Sequence, residues 1–524
     1  MPGVLASIRT SEVAVVLLSL LAYYLWTRWT HRKYKAFPPG PTPIPFFGNF
    51  RQLPFKDQHE TFREWAHTYG DVVYAQLFRK PMIILNSLRA VQDLMEKKSA
   101  IYSDRPGFIL WEDVYDFKPV TTFINADDDW REHRKRLQAG FETEKALTGF
   151  HTPLKSSVNK LIIKLLNSPD AFFAHVQRYA SDFTLDIGYG MDELTADDAY
   201  NRTAEDAVHA VFYSDSIVAS LVDFFPILKY VPSWMPGAAY NRDAAKARHV
   251  IRQMLDVPFD LLVKNITSGV YKPSFASAWI EAKSENGQLS PQVAFHIKGA
   301  AATLYVGRCS SPVSESSAVV LLTLILTMTL HPEILQKVQQ EIDAVVGFER
   351  LPEFHDRKQL PYLECVLLEV YRWNPPVPLG VPHSLSQDDI YKGYFLPKGS
   401  SVISNIWAIS RDPSIYSDLD VFRPERFEEM DAEKVKVCDP KRYIFGFGRR
   451  ICPGRHLADM SIWLAAATVL ATLDIRKARD LNGNEIEPTA SFITGLSRSP
   501  REFVCSIRPR SQTVAELIAQ EGAR

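Results

Sequence analysis

The stretch Phe445-Gly446-Phe447-Gly448-Arg449-Arg450-Ile451-Cys452-Pro453-Gly454 holds the residues best placed for chemistry. Its glycines let the backbone approach something flat, and Pro453 suits the first turn of a helix. The apolar run 455–473 reads as that helix. Cys452 thus stands at a helix N-terminus beside Arg449 and Arg450, where dipole and charge favour a thiolate that can ligate a metal. Gly446 and Gly448 begin a G-x-G, but Ile451 stands where a dinucleotide fingerprint needs its third glycine. A lone cysteine is otherwise an ordinary small core residue. Its surroundings have to decide.

Three other groupings supply the context. Glu369-Val370-Tyr371-Arg372 puts acid and base on one helix face, by itself an ordinary surface pair. Trp130-Arg131-Glu132-His133-Arg134 and Phe422-Arg423-Pro424-Glu425-Arg426-Phe427 flank it along the chain, and His383 follows Val381-Pro382. Together these resemble the cytochrome P450 family. Its heme signature F-x-x-G-x-R-x-C-x-G is filled by Phe445, Gly448, Arg450, Cys452 and Gly454; E-x-x-R and W-x-x-x-R are also present. The matches run from residue 37 to 505, and the wording of the signature is most similar to fungal members that tailor natural products.

The resemblance implies heme b with Cys452 as axial iron ligand and Trp130, Arg134, His383, Phe445 and Arg450 as further heme contacts. It implies a structural triad of Glu369, Arg372 and Arg426. It also implies dioxygen, an NADPH-dependent flavoprotein reductase, and a lipophilic small-molecule substrate, a terpenoid among the candidates. Lys434, Lys436, Lys441, Arg442, Arg449, Arg455 and the basic residues of 131–136 are the expected docking charges for the reductase. One stretch departs from the family. Where its central helix reads [AG]-G-x-[DE]-T-[TS], this chain has Gly307-Arg308-Cys309-Ser310-Ser311-Pro312. Ser310 and Ser311 are left as the candidate catalytic relay, although a hydroxyl only passes a proton along. The change also motivates two other readings: a heme-thiolate isomerase or dehydratase that activates no oxygen, and a heme-binding pseudoenzyme.

The elements that position these residues are mostly helical. Apolar residues recur at three- and four-residue spacing over 156–166, 204–222, 243–265, 292–330 and 332–346, while strand patterns cover only 72–77, 81–85 and 401–405. The expectation is a mainly α fold with a small β region, one large catalytic domain over 46–510 and a C-terminal tail at 511–524. Ahead of it, a short segment 1–12 precedes an apolar run 13–29 that reads as a transmembrane signal-anchor. Arg28, Arg32, Lys33 and Lys35 on its C-terminal side put the body in the cytosol, on the endoplasmic reticulum membrane. A basic, proline-rich linker, 30–45, joins the two. With 60 basic and 61 acidic residues the chain has no global field for nucleic acid. Five cysteines without a C-x-x-C pair exclude a disulfide scaffold and the common zinc motifs.

Overall fold

Two helices without a polar face set the centre of the molecule. In Ser316–Leu330 every residue from 318 to 329 is buried, and Arg455–Thr472 is buried along most of its length. A helix apolar all round has to lie inside protein or lipid. Here neighbouring helices cover both. Their buried hydroxyls are satisfied within the helix: Thr323 Oγ donates to the Val319 carbonyl at 2.7 Å and Thr468 Oγ to that of Leu464 at 2.8 Å. The computed structural model describes residues 36–191, 203, 207, 221–236, 238–284, 288–306 and 316–523. The anchor reading of 13–29, most of the expected helix 204–222, and the 307–315 stretch with Ser310 and Ser311 lie outside these.

Of the other expected helices, 156–166 and 243–265 lie within His151–Asn167 and Ala239–Ser268, and 332–346 corresponds to Pro332–Val345, while the single expected run 292–330 is described as Pro291–Val306 and Ser316–Leu330, with the residues between them outside the described ones. The strands are Val72–Leu77, Lys80–Leu85 and Ser401–Ser404, joined by His383–Ser384 in a sheet where Lys80–Leu85 and Ser401–Ser404 run parallel. A second sheet pairs Leu473–Arg479 with Cys505–Pro509. The fold is mainly α with small sheets. Among the described residues no single helix is long and apolar enough to cross a membrane; Ser316–Leu330 and Pro332–Val345 reach that length only as a pair bent by 109°.

Two expected boundaries differ. The proline-rich segment is no free spacer from residue 36 onward: the Pro39 carbonyl accepts from Tyr74 N at 3.0 Å, that of Ala36 from Phe395 N at 2.7 Å, and Phe37 stacks on Tyr74 at 4.7 Å. Prolines keep the segment extended, and its free carbonyls and aromatic ring then find partners on the body. At the other end, 511–524 is not a tail. Gln512–Ala523 is a helix packed on His151–Asn167, with Val514 and Ile518 buried.

The Glu369–Arg372 pair is not a surface feature either. Both side chains are wholly buried, with Arg372 Nε and Nη2 each 2.7 Å from a different Glu369 oxygen. Arg426 Nε lies 3.0 Å from the same carboxylate, and Arg423 N donates to it at 2.9 Å. The two guanidiniums spend their remaining N–H groups on carbonyls of 417–421, such as Leu419 and Val421. The Pro361–Trp373 helix is thereby fixed to the chain that leads into the cysteine loop. Breaking a buried ion pair from one side costs about 3–5 kcal/mol, because the partner charge stays buried. Glu369→Gln leaves two such charges, so its denaturation midpoint and heme content should both fall sharply. A midpoint within experimental error of the parent would contradict this account.

Candidate functional site

The helix Asp128–Phe141 carries one wall of the site. Asp127 caps it, its side chain accepting from Trp130 N at 2.9 Å, and Asp128 and Asp129 favour the positive end of the dipole. Its buried stripe is Trp130, His133, Arg134, Leu137 and Phe141, so the residues of W-x-x-x-R face inward for the same reason that the core residues do.

The cysteine loop comes up against this wall. Cys452 N donates to the Phe445 carbonyl at 2.8 Å, closing the loop, and Gly446 and Gly448 take φ of +78° and +57°. A Cβ on Gly448 would stand 2.0 Å from the Met95 carbonyl oxygen, so only glycine lets the loop seat here. Arg134 Nη1 donates to the Ile451 carbonyl. Arg450 Nε, Nη1 and Nη2 donate to the carbonyls of Ser103, Thr121 and Ile124 at 2.7, 3.2 and 2.7 Å, while its guanidinium lies 4.5 Å from the Trp130 ring centroid. Trp130, Arg134, Arg450 and Cys452 are therefore drawn into one place, with Phe445 at the base of the loop.

His383 joins them from the sheet. Its Nδ1 is 2.6 Å from the Tyr102 carbonyl and must donate to it. Burial, then Arg105 and Arg450, hold this imidazole far below its usual range, so it is neutral. Arg105 is the residue the sequence reading missed. Its Nε reaches the Thr122 carbonyl at 2.8 Å, and its Nη1 those of Val381 and Pro382 at 2.7 Å each. A single arginine before a proline carries no pattern that periodicity could reveal.

One expectation about charge needs correction. The groups that favour the ionised Cys452 sulfur are the Gly454 N–H, Arg134 and Arg455, with Glu142 opposing them; Arg449 is exposed and Arg450 is engaged with the carbonyls above. Burial outweighs all three and pushes the thiol above its ordinary range. The free side chain is a thiol. Bound metal would deprotonate it outright.

These residues fit heme b. Arg105, Arg134 and Arg450 are buried, and burial lowers the pKa of each, which marks positive charge short of an anion. Glu142, the nearest carboxylate to Arg134, stays 3.9 Å away and gives its short contact, 2.6 Å, to Arg455. The buried Arg134 Nε has no partner among the described residues. The two propionates of heme b would supply the missing negative charge. Cys452 lies deep in the protein yet keeps accessible surface, so its sulfur faces an internal space, and a Cβ on Gly454 would meet nothing within 4 Å.

Comparison with known proteins agrees. The family model Cytochrome P450 matches residues 38–503. Cytochrome P450 monooxygenase 176 of Postia placenta is 44% identical over 98% of both chains. Tryptamine 4-monooxygenase of Psilocybe cyanescens is 35% identical over 96% of this chain and 99% of its own. The chain belongs to the cytochrome P450 family, as a heme b monooxygenase.

Proposed function

We propose that this enzyme hydroxylates or otherwise oxidises a lipophilic small molecule of fungal secondary metabolism, with Cys452 as the axial ligand of its heme. The observation that carries the reading is the loop around Cys452, closed on Phe445 and set between buried arginines that want anions. Heme supplies the reductive activation of dioxygen, and an axial thiolate favours O–O cleavage. Trp130, Arg134, Arg450 and His383 would hold the propionate edge, with His383 oriented by Tyr102. Arg134 steadies the loop through the Ile451 carbonyl. Natural-product chemistry is favoured by the relatives, one of which is named for oxidising tryptamine. Nothing specific favours the isomerase, dehydratase or pseudoenzyme readings. Reduced protein with carbon monoxide should give the red-shifted Soret band of thiolate ligation, and Cys452→Ala should abolish it. A band that survives the substitution overturns the assignment.

Electrons come from a flavoprotein reductase docking on the cysteine-loop face. Of the cations expected there, several are committed to acids: Lys441 to Glu364 and Asp459, Arg455 to Glu142, Lys436 to Glu433, Arg131 to Asp128 and Arg136 to Glu132. Lys135, Lys434, Arg442 and Arg449 are exposed and form no ion pair among the described residues, so they are the docking charges. Reversing these four should slow reduction of the heme by at least about tenfold at low salt and flatten its dependence on ionic strength, since screening acts over about 8–10 Å. An unchanged salt slope would exclude this face.

The endoplasmic reticulum membrane is the proposed location, with residues 13–29 as anchor and the body in the cytosol. An aromatic patch supports it. Phe55, Ile227 and Trp234 are 73%, 72% and 78% exposed, and Phe78 joins the two halves through ring contacts with Phe47, Phe50, Phe224 and Phe225. Large exposed apolar side chains cost free energy in water and gain it in a headgroup layer. Deleting residues 1–35 should leave measurable binding to lipid vesicles, which Phe55→Asp, Ile227→Asp and Trp234→Asp together should remove. Equal vesicle binding of the truncated protein with and without the three aspartates would exclude this patch as a membrane contact.

A further inference from the structure

Two consecutive carbonyls of the cysteine loop are held by arginines from two helices, Asp128–Phe141 and Arg455–Thr472. Arg134 Nη1 donates to the Ile451 carbonyl, and Arg455 Nη1 lies 3.3 Å from that of Cys452. The same Arg455 nitrogen is 2.6 Å from Glu142 Oε1, and Arg134 Nη2 is 3.9 Å from that oxygen. One carboxylate therefore faces both cations, beside the proposed iron ligand.

The local structure fixes Glu142 but does not explain its charge. Its N–H ends the helix Asp128–Phe141 by donating to the Gln138 carbonyl at 3.0 Å, and Thr143 next to it caps the helix Glu144–Gly149. Phe141 before it is wholly buried against the rings of Phe150 and Phe275, at 5.6 and 5.1 Å between centroids. The backbone at 142 is thus tied down from both sides. A carboxylate at a helix C-terminus, however, opposes the macrodipole. Its stabilisation has to come from the two arginines.

We propose that Glu142 and Arg455 form a pair that sets the reduction potential of the heme; the inference rests on the Cys452 ligation proposed above. Reduction adds one electron at the iron, so every fixed charge near the sulfur shifts the ferric–ferrous equilibrium. Arg134, Arg455 and Glu142 are charged side chains that act on that sulfur, and of the three Glu142 alone is negative. The buried arginines that suit two propionates also favour the added electron. Glu142 is the counterweight: it keeps the Arg455 guanidinium on the Cys452 carbonyl and offsets its charge, which holds the potential below what the arginines alone would give. No atom or proton is exchanged within the pair. Both side chains are partly exposed, so solvent screens them, and each charge is expected to move the ferrous-to-ferric ratio by on the order of tenfold.

The test uses the heme-loaded full chain and needs no turnover. In a dye-mediated redox titration, Glu142→Gln should raise the ferrous-to-ferric ratio at a given potential about tenfold, a midpoint about 59 mV higher. Arg455→Gln should lower the ratio by a similar factor, and the double variant should return to within about threefold of the parent. The C–O stretch of the ferrous carbon monoxide form should follow, higher in Glu142→Gln and lower in Arg455→Gln, because a weaker thiolate donor passes less charge to the bound gas. A loosened loop alone would move both single variants the same way. Shifts of equal sign, or ratios within about twofold of the parent in both, overturn the proposal. Should Glu142→Gln lose the thiolate Soret band, the sign in Arg455→Gln decides. A parent without that band overturns the Cys452 ligation and this inference with it, whereas a parent that has it and variants that do not move overturn the inference alone.

Discussion

One carboxylate holds the architecture together. Glu369 has no exposed surface, takes both N–H arms of Arg372 and stands 3.0 Å from Arg426. The carbonyls that complete the two guanidiniums belong to the irregular segment 417–421, which has no helix or sheet to satisfy them otherwise. The ionic cluster thus substitutes for secondary structure in the chain that runs down to the cysteine loop. Loop position, and with it the sulfur, follows from a charge arrangement that has no chemical part in the reaction.

The site itself is built on the reverse principle. Around Cys452 positive charge is gathered: burial and then Arg450 depress Arg105, burial and then Arg134 depress Arg450 against Asp104 and Asp127, and Arg134 Nε has no partner among the described residues. The polypeptide alone bears that cost. A dianionic porphyrin edge held by these arginines would relieve it, and a metal held by Cys452 would favour the ionised form of a thiol that burial has made reluctant to ionise. Heme binding and stability are therefore coupled through electrostatics as much as through apolar contact.

Much of this was legible in the sequence, and what was not has a physical cause. The cysteine loop could be read because glycine, arginine and cysteine are each demanded by local backbone or ligand geometry, as Gly448 against the Met95 carbonyl illustrates. The strands at 72–77 and 81–85 showed in their β-branched and aliphatic composition. Spacing placed Glu369 and Arg372 on one face but could not say that the face is buried, since that depends on segments about 50 residues away. Arg105 is defined by carbonyls at 381 and 382, and the partners of His133 lie at 121 and 296. Such sites are properties of tertiary contact, invisible to any window along the chain. The composition of the proline-rich segment forbids helix, but its attachment to Tyr74 and Phe395 is settled elsewhere in the chain.

The long separations have a consequence in time. The Arg450–Ser103 bond joins residues 347 positions apart, and the sheet beside it needs Ser401–Ser404 to lie along Lys80–Leu85. A ribosome adding about 5–20 residues per second has exposed the first wall of the site on the order of 20–70 s before it delivers the cysteine loop. During that interval the strand Lys80–Leu85 has an open edge, and the buried face of Asp128–Phe141 has no loop to pack against. If Cys452 holds the heme as proposed, loading waits for the cysteine loop, and until then the nascent protein depends on whatever shields its unpaired edge.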